Sequence, residues 1–146
     1  MTEGDSMKDK KQKSAPRKML QLGSGKMSIE EIVALMDTLP FTIDFVDKEG
    51  YVKYFNMPKN RIFPRTGDEV DTKVQHCHPK ENVPLVNEIL ENFKTNRMDA
   101  KESWSRRNGR LIQIRYFAVR NRDGEYLGTL EVGQDVTAIR KRRSIP

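Results

Sequence analysis

Arg110-Leu111-Ile112-Gln113-Ile114-Arg115-Tyr116-Phe117-Ala118-Val119, then Arg120-Asn121-Arg122-Asp123-Gly124-Glu125, then Tyr126-Leu127-Gly128-Thr129-Leu130-Glu131-Val132, reads as two strands and a tight turn. Both runs are rich in β-branched and aromatic residues, which suit a pleated, half-buried surface. The Asp123-Gly124 pair supplies the positive φ that hairpin turns demand. Alternation sets Ile112, Ile114, Tyr116 and Ala118 on one face and Gln113 and Arg115 on the other. In the second strand Tyr126, Gly128, Leu130 and Val132 share a face, with Leu127, Thr129 and Glu131 opposite. A hairpin alone is marginal in water, so the chain must supply further strands and a cover.

Working outward, two more strands are expected near 41–47 and 50–55, around Asp47-Lys48-Glu49-Gly50. A third is expected near 99–106, around Trp104, and the opening pair extends over 110–120 and 126–136. Val86, Ile89, Leu90 and Phe93 lie at i, i+3, i+4 and i+7, one face of a helix near 82–95. Asn82 is its expected cap, Pro84 is tolerated in its first turn, and Asn96 is its expected stop. Ser28 and Glu31 form a capping box that opens a shorter helix over Ser28–Asp37. Its stripe is Ile29, Ile32, Val33 and Met36, and Leu39-Pro40 ends it. Strands at both ends with helices between them imply an α+β domain: a five-stranded antiparallel sheet, helices covering one face, and an N-terminal flanking helix.

The 146 residues suit one domain plus tails. Residues 1–26 lack apolar periodicity and read as disordered or linker, 27–140 as the domain, and 141–146 as a basic tail. The net charge of +6 belongs to the ends. Residues 1–26 hold seven Lys/Arg against three acids, and residues 137–146 hold four against none. The folded part is therefore slightly acidic, which argues against nucleic acid as its partner. No apolar run reaches the length of a membrane span, and Met1 is followed by acidic and Lys-rich sequence rather than a signal peptide. Cys77 is the single cysteine, which favours a reducing, cytoplasmic setting. Gly23-Ser24-Gly25-Lys26 lacks the first glycine and the preceding strand of a phosphate loop.

Gly128-Thr129-Leu130-Glu131-Val132-Gly133-Gln134-Asp135-Val136-Thr137 resembles the last strand of a PAS domain running into its Asp-Val/Ile-Thr exit motif. Leu39-Pro40, Ile43-Asp44-Phe45-Val46-Asp47 and Gly50 fit the start of that family. Arg61-Ile62-Phe63-Pro64-Arg65, Val74-Gln75-His76-Cys77-His78-Pro79 and Ile114-Arg115-Tyr116-Phe117-Ala118-Val119-Arg120 are similar to one bacterial branch. That branch is found after a domain of unknown function and a hemerythrin-like domain. The resemblance covers about residues 28–140. It implies a non-catalytic sensory or interaction module that holds a small molecule between sheet and helices. Such modules pair through an N-terminal helix and relay their state to a partner signalling domain through flanking segments.

Candidate ligand-binding residues follow: Phe45, Tyr54, Val86, Ile89, Leu90, Ile114, Tyr116, Leu130 and Gln134. Trp104 joins the aromatics able to line or fill a cavity. Gln134 is in phase with Leu130 and Val132 and is expected to point inward. Flavin is disfavoured, because the photoactive Asn-Cys-Arg-Phe-Leu-Gln motif is absent. His76, Cys77 and His78 are heme or metal ligand types. In an extended segment His76 and His78 would face one way and Cys77 the other. They are read either as heme ligands or a redox thiol, or as a packed cysteine with hydrogen-bonded histidines. No orienting third group marks Cys77 as a nucleophile, so a thiol enzyme is set aside. Arg61 and Arg65, flanking Pro64, either bind an anionic ligand or pair with a nearby carboxylate.

Overall fold

A computed structural model describes residues 17–142. The chain divides into two compact units, residues 1–34 and 35–146. In the first, β1 (Met19–Leu22) and β2 (Gly25–Ser28) form an antiparallel hairpin. This differs from the linker expected there. The Gln21 side-chain amide donates to the carbonyls of Leu22 and Gly25 and ties the turn through Gly23-Ser24, so no apolar pattern was needed to define it. Residues 1–16 and 143–146 lie outside the described residues.

Helix α1 (Ile29–Thr38) begins at the expected capping box. The Ser28 amide donates to Glu31 at 2.7 Å, and the Glu31 amide donates to Ser28 Oγ at 3.1 Å. None of its residues is buried.

The second unit holds β3 (Thr42–Asp47), β4 (Val52–Phe55), α2 (Val83–Lys94), β5 (Ala100–Arg107), β6 (Arg110–Arg120), β7 (Tyr126–Asp135) and α3 (Thr137–Lys141). Three short 3₁₀ turns, Gly67–Glu69, Val74–Cys77 and Lys80–Asn82, fill the stretch before α2. The sheet is antiparallel throughout, in the order β4-β3-β7-β6-β5. The five strands and principal helix are thus those expected from the pattern.

Local chemistry explains the turns. Asp47 Oδ1 accepts from the amides of Glu49 and Tyr51, and Gly50 takes φ +89°. Asn121 Oδ1 accepts from the amides of Asp123 and Glu125. β5 and β6 are joined by Asn108 and Gly109, both at positive φ, the conformation of a two-residue hairpin turn. Asn96 stops α2 at φ +58°, as expected. Asn82 precedes α2, but its side chain caps nothing; it is the last residue of a 3₁₀ turn leading directly into the helix.

Helix α2 lies over β7 and buries Ile89, Leu90 and Phe93, the last completely. Leu90 packs with Val46, Val52 and Val74, joined by Cys77 and Val86. The sheet face turned toward α2 is its inner face. Asn56 is fully buried beneath this layer. Its Oδ1 accepts from the Ile43 amide at 2.8 Å, and its Nδ2 donates to the carbonyls of Met36 and Phe41. One side chain therefore fixes the end of α1 and the start of β3 to the chain leaving β4.

Candidate functional site

A row of polar side chains crosses the inner face. Register places Asp44 of β3 opposite Glu131 of β7, and Glu131 opposite Tyr116 of β6. Two like charges directly opposite each other repel, so the cluster needs cations. The loop after β4 delivers them. Arg61 Nη2 donates to Asp44 Oδ1 at 2.6 Å, and Arg65 Nε donates to the same oxygen at 3.0 Å. Arg61 Nη1 donates to the Asn56 carbonyl at 2.8 Å, and Arg65 Nη1 lies 3.4 Å from Glu69 Oε2. The Asp44 and Arg61 side chains are only 8% and 7% exposed, which makes this a buried ion pair rather than a surface one.

Glu131 differs from Asp44. Both arginines hydrogen-bond Asp44, and Glu131 takes no such bond from them. Burial, then repulsion from Asp44, push its carboxyl up to about 7, against the pull of Arg65 and Arg61. Burial chiefly, helped by Glu131, raises Tyr116 as well.

Glu131 faces a cavity of about 30 Å³, lined also by Val46, Val74, His78, Val86, Ile89, Leu90, Tyr116 and Thr129. The space suits a water-sized occupant and falls far below the about 300–1,000 Å³ of ordinary ligand pockets. The inner layer is packed with side chains, and a heme does not fit it in this closed form.

Four expected ligand residues, Val86, Ile89, Leu90 and Tyr116, come together around the cavity. Ile114 shares the Tyr116 face by alternation but does not line it. The other four stand on the opposite, outer face. Tyr54 pairs with Phe45, Phe45 with Leu130, and Leu130 with Phe117, one residue out of phase with Tyr116. Gln134 is opposite Gln113, so it points away from the cavity rather than inward. The physical reason is register. β7 pairs Glu131, not Leu130, with Tyr116, so its apolar set belongs to the outer face, where Ile43 and Val132 are buried.

The triplet is also rearranged. Val74–Cys77 is a 3₁₀ turn, not an extended segment, so His76 is exposed while Cys77 turns to the apolar cluster. Burial raises the Cys77 thiol, partly offset by Thr72 Oγ1 at 3.9 Å from Sγ. His78 Nδ1 lies 2.9 Å from the Val74 carbonyl, so that nitrogen carries the donated proton. Among the described residues, no group of three His, Cys, Asp or Glu side chains is placed to hold a metal.

Sequence reasoning passed over Asp44, Asn56, Thr129 and Glu131. An acid alternating with Leu130 and Val132 reads as solvent-facing. The counter-signal was the pair Arg61 and Arg65, whose buried partner is Asp44.

A family model for the PAS domain matches residues 32–137. The structure is similar to a C-terminal domain from Streptococcus mutans, with TM-score 0.79 and 27% identity over 85% of this chain and 96% of that one. It is also similar to the PAS domain of BvgS from Bordetella pertussis, with TM-score 0.57 and 21% identity over 77% and 92%. A sensory box sensor histidine kinase structure from Vibrio cholerae gives TM-score 0.52 and 13% identity over 74% and 90%. Comparison with curated proteins finds no match. The matched span takes in every strand of the large sheet together with α2, and the chain belongs to the PAS domain family.

Proposed function

We propose that this PAS domain is a sensory signal-transduction module, without catalytic activity, whose receptor site is the inner cavity. The observation that carries this is Glu131: a buried carboxyl directed at a cavity between sheet and α2, with Tyr116, Thr129 and His78 around it. A ligand that supplies a hydrogen-bond donor to Glu131 and apolar surface to Val86, Ile89 and Leu90 would open the cavity by moving α2. That movement reaches the chain ends through β7 and α3. In this reading the domain works as a homodimer paired through α1, beside a partner signalling domain, in the cytoplasm. Among the described residues, no helix is long and apolar enough to cross a membrane. In the bacterial branch it resembles, such a domain follows a domain of unknown function and a hemerythrin-like domain, which are candidates for that partner.

A thermal-shift screen of small polar metabolites, run on the wild type and on Val86→Phe, tests the receptor site. The expected result is a compound that stabilises the wild type and loses its effect when the cavity is filled. Stabilisation that persists in Val86→Phe, or a screen with no stabiliser, places the receptor site elsewhere.

A further inference from the structure

The outer face of β5, β6 and β7 carries a second feature, a groove of about 820 Å³. Trp104, Gln113 and Gln134 form its floor in one cross-strand row, with Leu111, Val136 and Ile139 beside them. Trp104 is 52% exposed and Ile139 57%, an unusual outlay of apolar surface. Three arginines, Arg106, Arg115 and Arg140, complete the lining.

Among the described residues, no acid is paired with these arginines. The side chains of Arg106 and Arg140 make no ion pair or hydrogen bond there, although the Arg140 backbone amide donates to the Val136 carbonyl. Arg115 lies over the Phe117 ring at 5.8 Å, forms no ion pair among the described residues, and its buried Nε has no hydrogen-bond partner there. Glu102, opposite Arg115 in register, forms no ion pair with it and does not line the groove.

We infer that this groove docks an acidic amphipathic helix of a partner protein. The groove is open along the sheet, so a small ligand there would leave much of its surface in water. Three strands at about 4.8 Å spacing span about 10 Å, the diameter of a helix. An apolar stripe would cover Trp104, Leu111 and Ile139, and flanking carboxylates would meet the guanidinium groups in bidentate fashion. A second copy of this chain is a poor occupant. The acids of its own amphipathic helix, α1, are engaged: Glu30 with Arg17, Glu31 with Ser28, and Asp37 with the Met57 amide. The inference rests on the relay reading only in taking the partner to be a protein. Its test does not involve the inner cavity, so the two can fail separately.

Trp104 is the single tryptophan of the chain, so its emission reports the groove alone. The probe is a synthetic helical peptide with a leucine stripe flanked by glutamates; the counter-probe has lysines in their place. The acidic peptide is expected to shift Trp104 emission to the blue, saturably and less strongly at high salt. The Arg106→Glu/Arg140→Glu variant, whose exposed sites leave folding intact by circular dichroism, is expected to bind about tenfold more weakly. Equal binding of both peptides overturns the inference, as does an unaffected variant or the absence of a shift. A shift produced by raising the protein concentration alone would assign the groove to a second copy and overturn it as well.

Discussion

Glu131 gives the domain a pH dependence of unusual sign. Its carboxyl titrates near about 7 in the fold against 4.5 for an ordinary glutamate. Between those values the folded chain holds a proton that the unfolded chain has lost. Stability therefore falls as pH rises from about 4.5 to about 7 and is level above, with a total of about 3 kcal/mol. The charged and titratable neighbours are Asp44, Arg61, Arg65, Tyr116 and, across the cavity, His78, and the arginines limit the effect. Glu131→Gln keeps the shape and removes the titrating proton. Urea unfolding at pH 5 and pH 8 should show a slope for the wild type, a flat profile for the variant, and a more stable variant at pH 8. A wild type as stable at pH 8 as at pH 5 would refute the assignment. Asn56 acts in the opposite manner, through satisfied bonds. Asn56→Ala strands the Ile43 amide and the Phe41 carbonyl, takes one of the bonds to the Met36 carbonyl, and should cost about 3 kcal/mol in the same measurement.

At the scale of elements, the joint between β7 and α3 is made by the exit motif itself. Asp135 Oδ1 accepts from Thr137 Oγ1 at 2.6 Å and from the Thr137 amide at 3.0 Å, which holds its carboxyl below the usual range. Thr137 Oγ1 in turn accepts from the Leu111 amide at 2.8 Å. The start of α3 is thereby fixed to the start of β6. Thr137→Val keeps the shape but loses both hydroxyl bonds; the expected result is faster hydrogen exchange at Leu111 and a loss of about 1–2 kcal/mol. Gly128 marks another contact between elements. A Cβ there would lie 2.7 Å and 2.8 Å from the Phe45 ring and would also meet the Val46 carbonyl. Gly128→Ala should therefore destabilise the β3–β7 pairing by about 1–3 kcal/mol, read as a lower unfolding midpoint. The exit motif, α1 and α2 were legible because their signals are local: a capping box, a 3.6-residue stripe, a Thr two residues after an Asp. The β1–β2 hairpin was not, since it rests on a glutamine side chain and a Gly-Ser turn. Asn108-Gly109, which joins β5 to β6 at positive φ, is a local turn signal that the reading of the strand around Trp104 left unused.

At the scale of the molecule, the strands of the large sheet followed from periodicity, but the site did not. β3 pairs with β7 across some ninety residues of chain, and only that pairing sets Asp44 beside Glu131. Alternation gives two faces to each strand and leaves open which face meets the helix. Val86, Ile89, Leu90 and Tyr116 were found because α2 has one apolar stripe and β6 one apolar set. β7 carries apolar residues on the outer face and an acid on the inner, so the same rule sends Leu130 and Gln134 the wrong way. The apolar stripe of α1 poses a related question. Its members Ile29 and Val33 are 56% and 46% exposed, far more than a helix that only caps its own domain requires. Pairing of two chains through this stripe would remove that surface from water, at about 25 cal/mol for each Å² buried. Light scattering on a chain beginning at Met27 should then give a dimer, and a chain beginning at Thr38 a monomer. Ile29→Glu combined with Val33→Glu should reproduce the monomer without unfolding the sheet, because neither side chain is buried. A monomer at high concentration with the stripe intact would remove α1 from the interface.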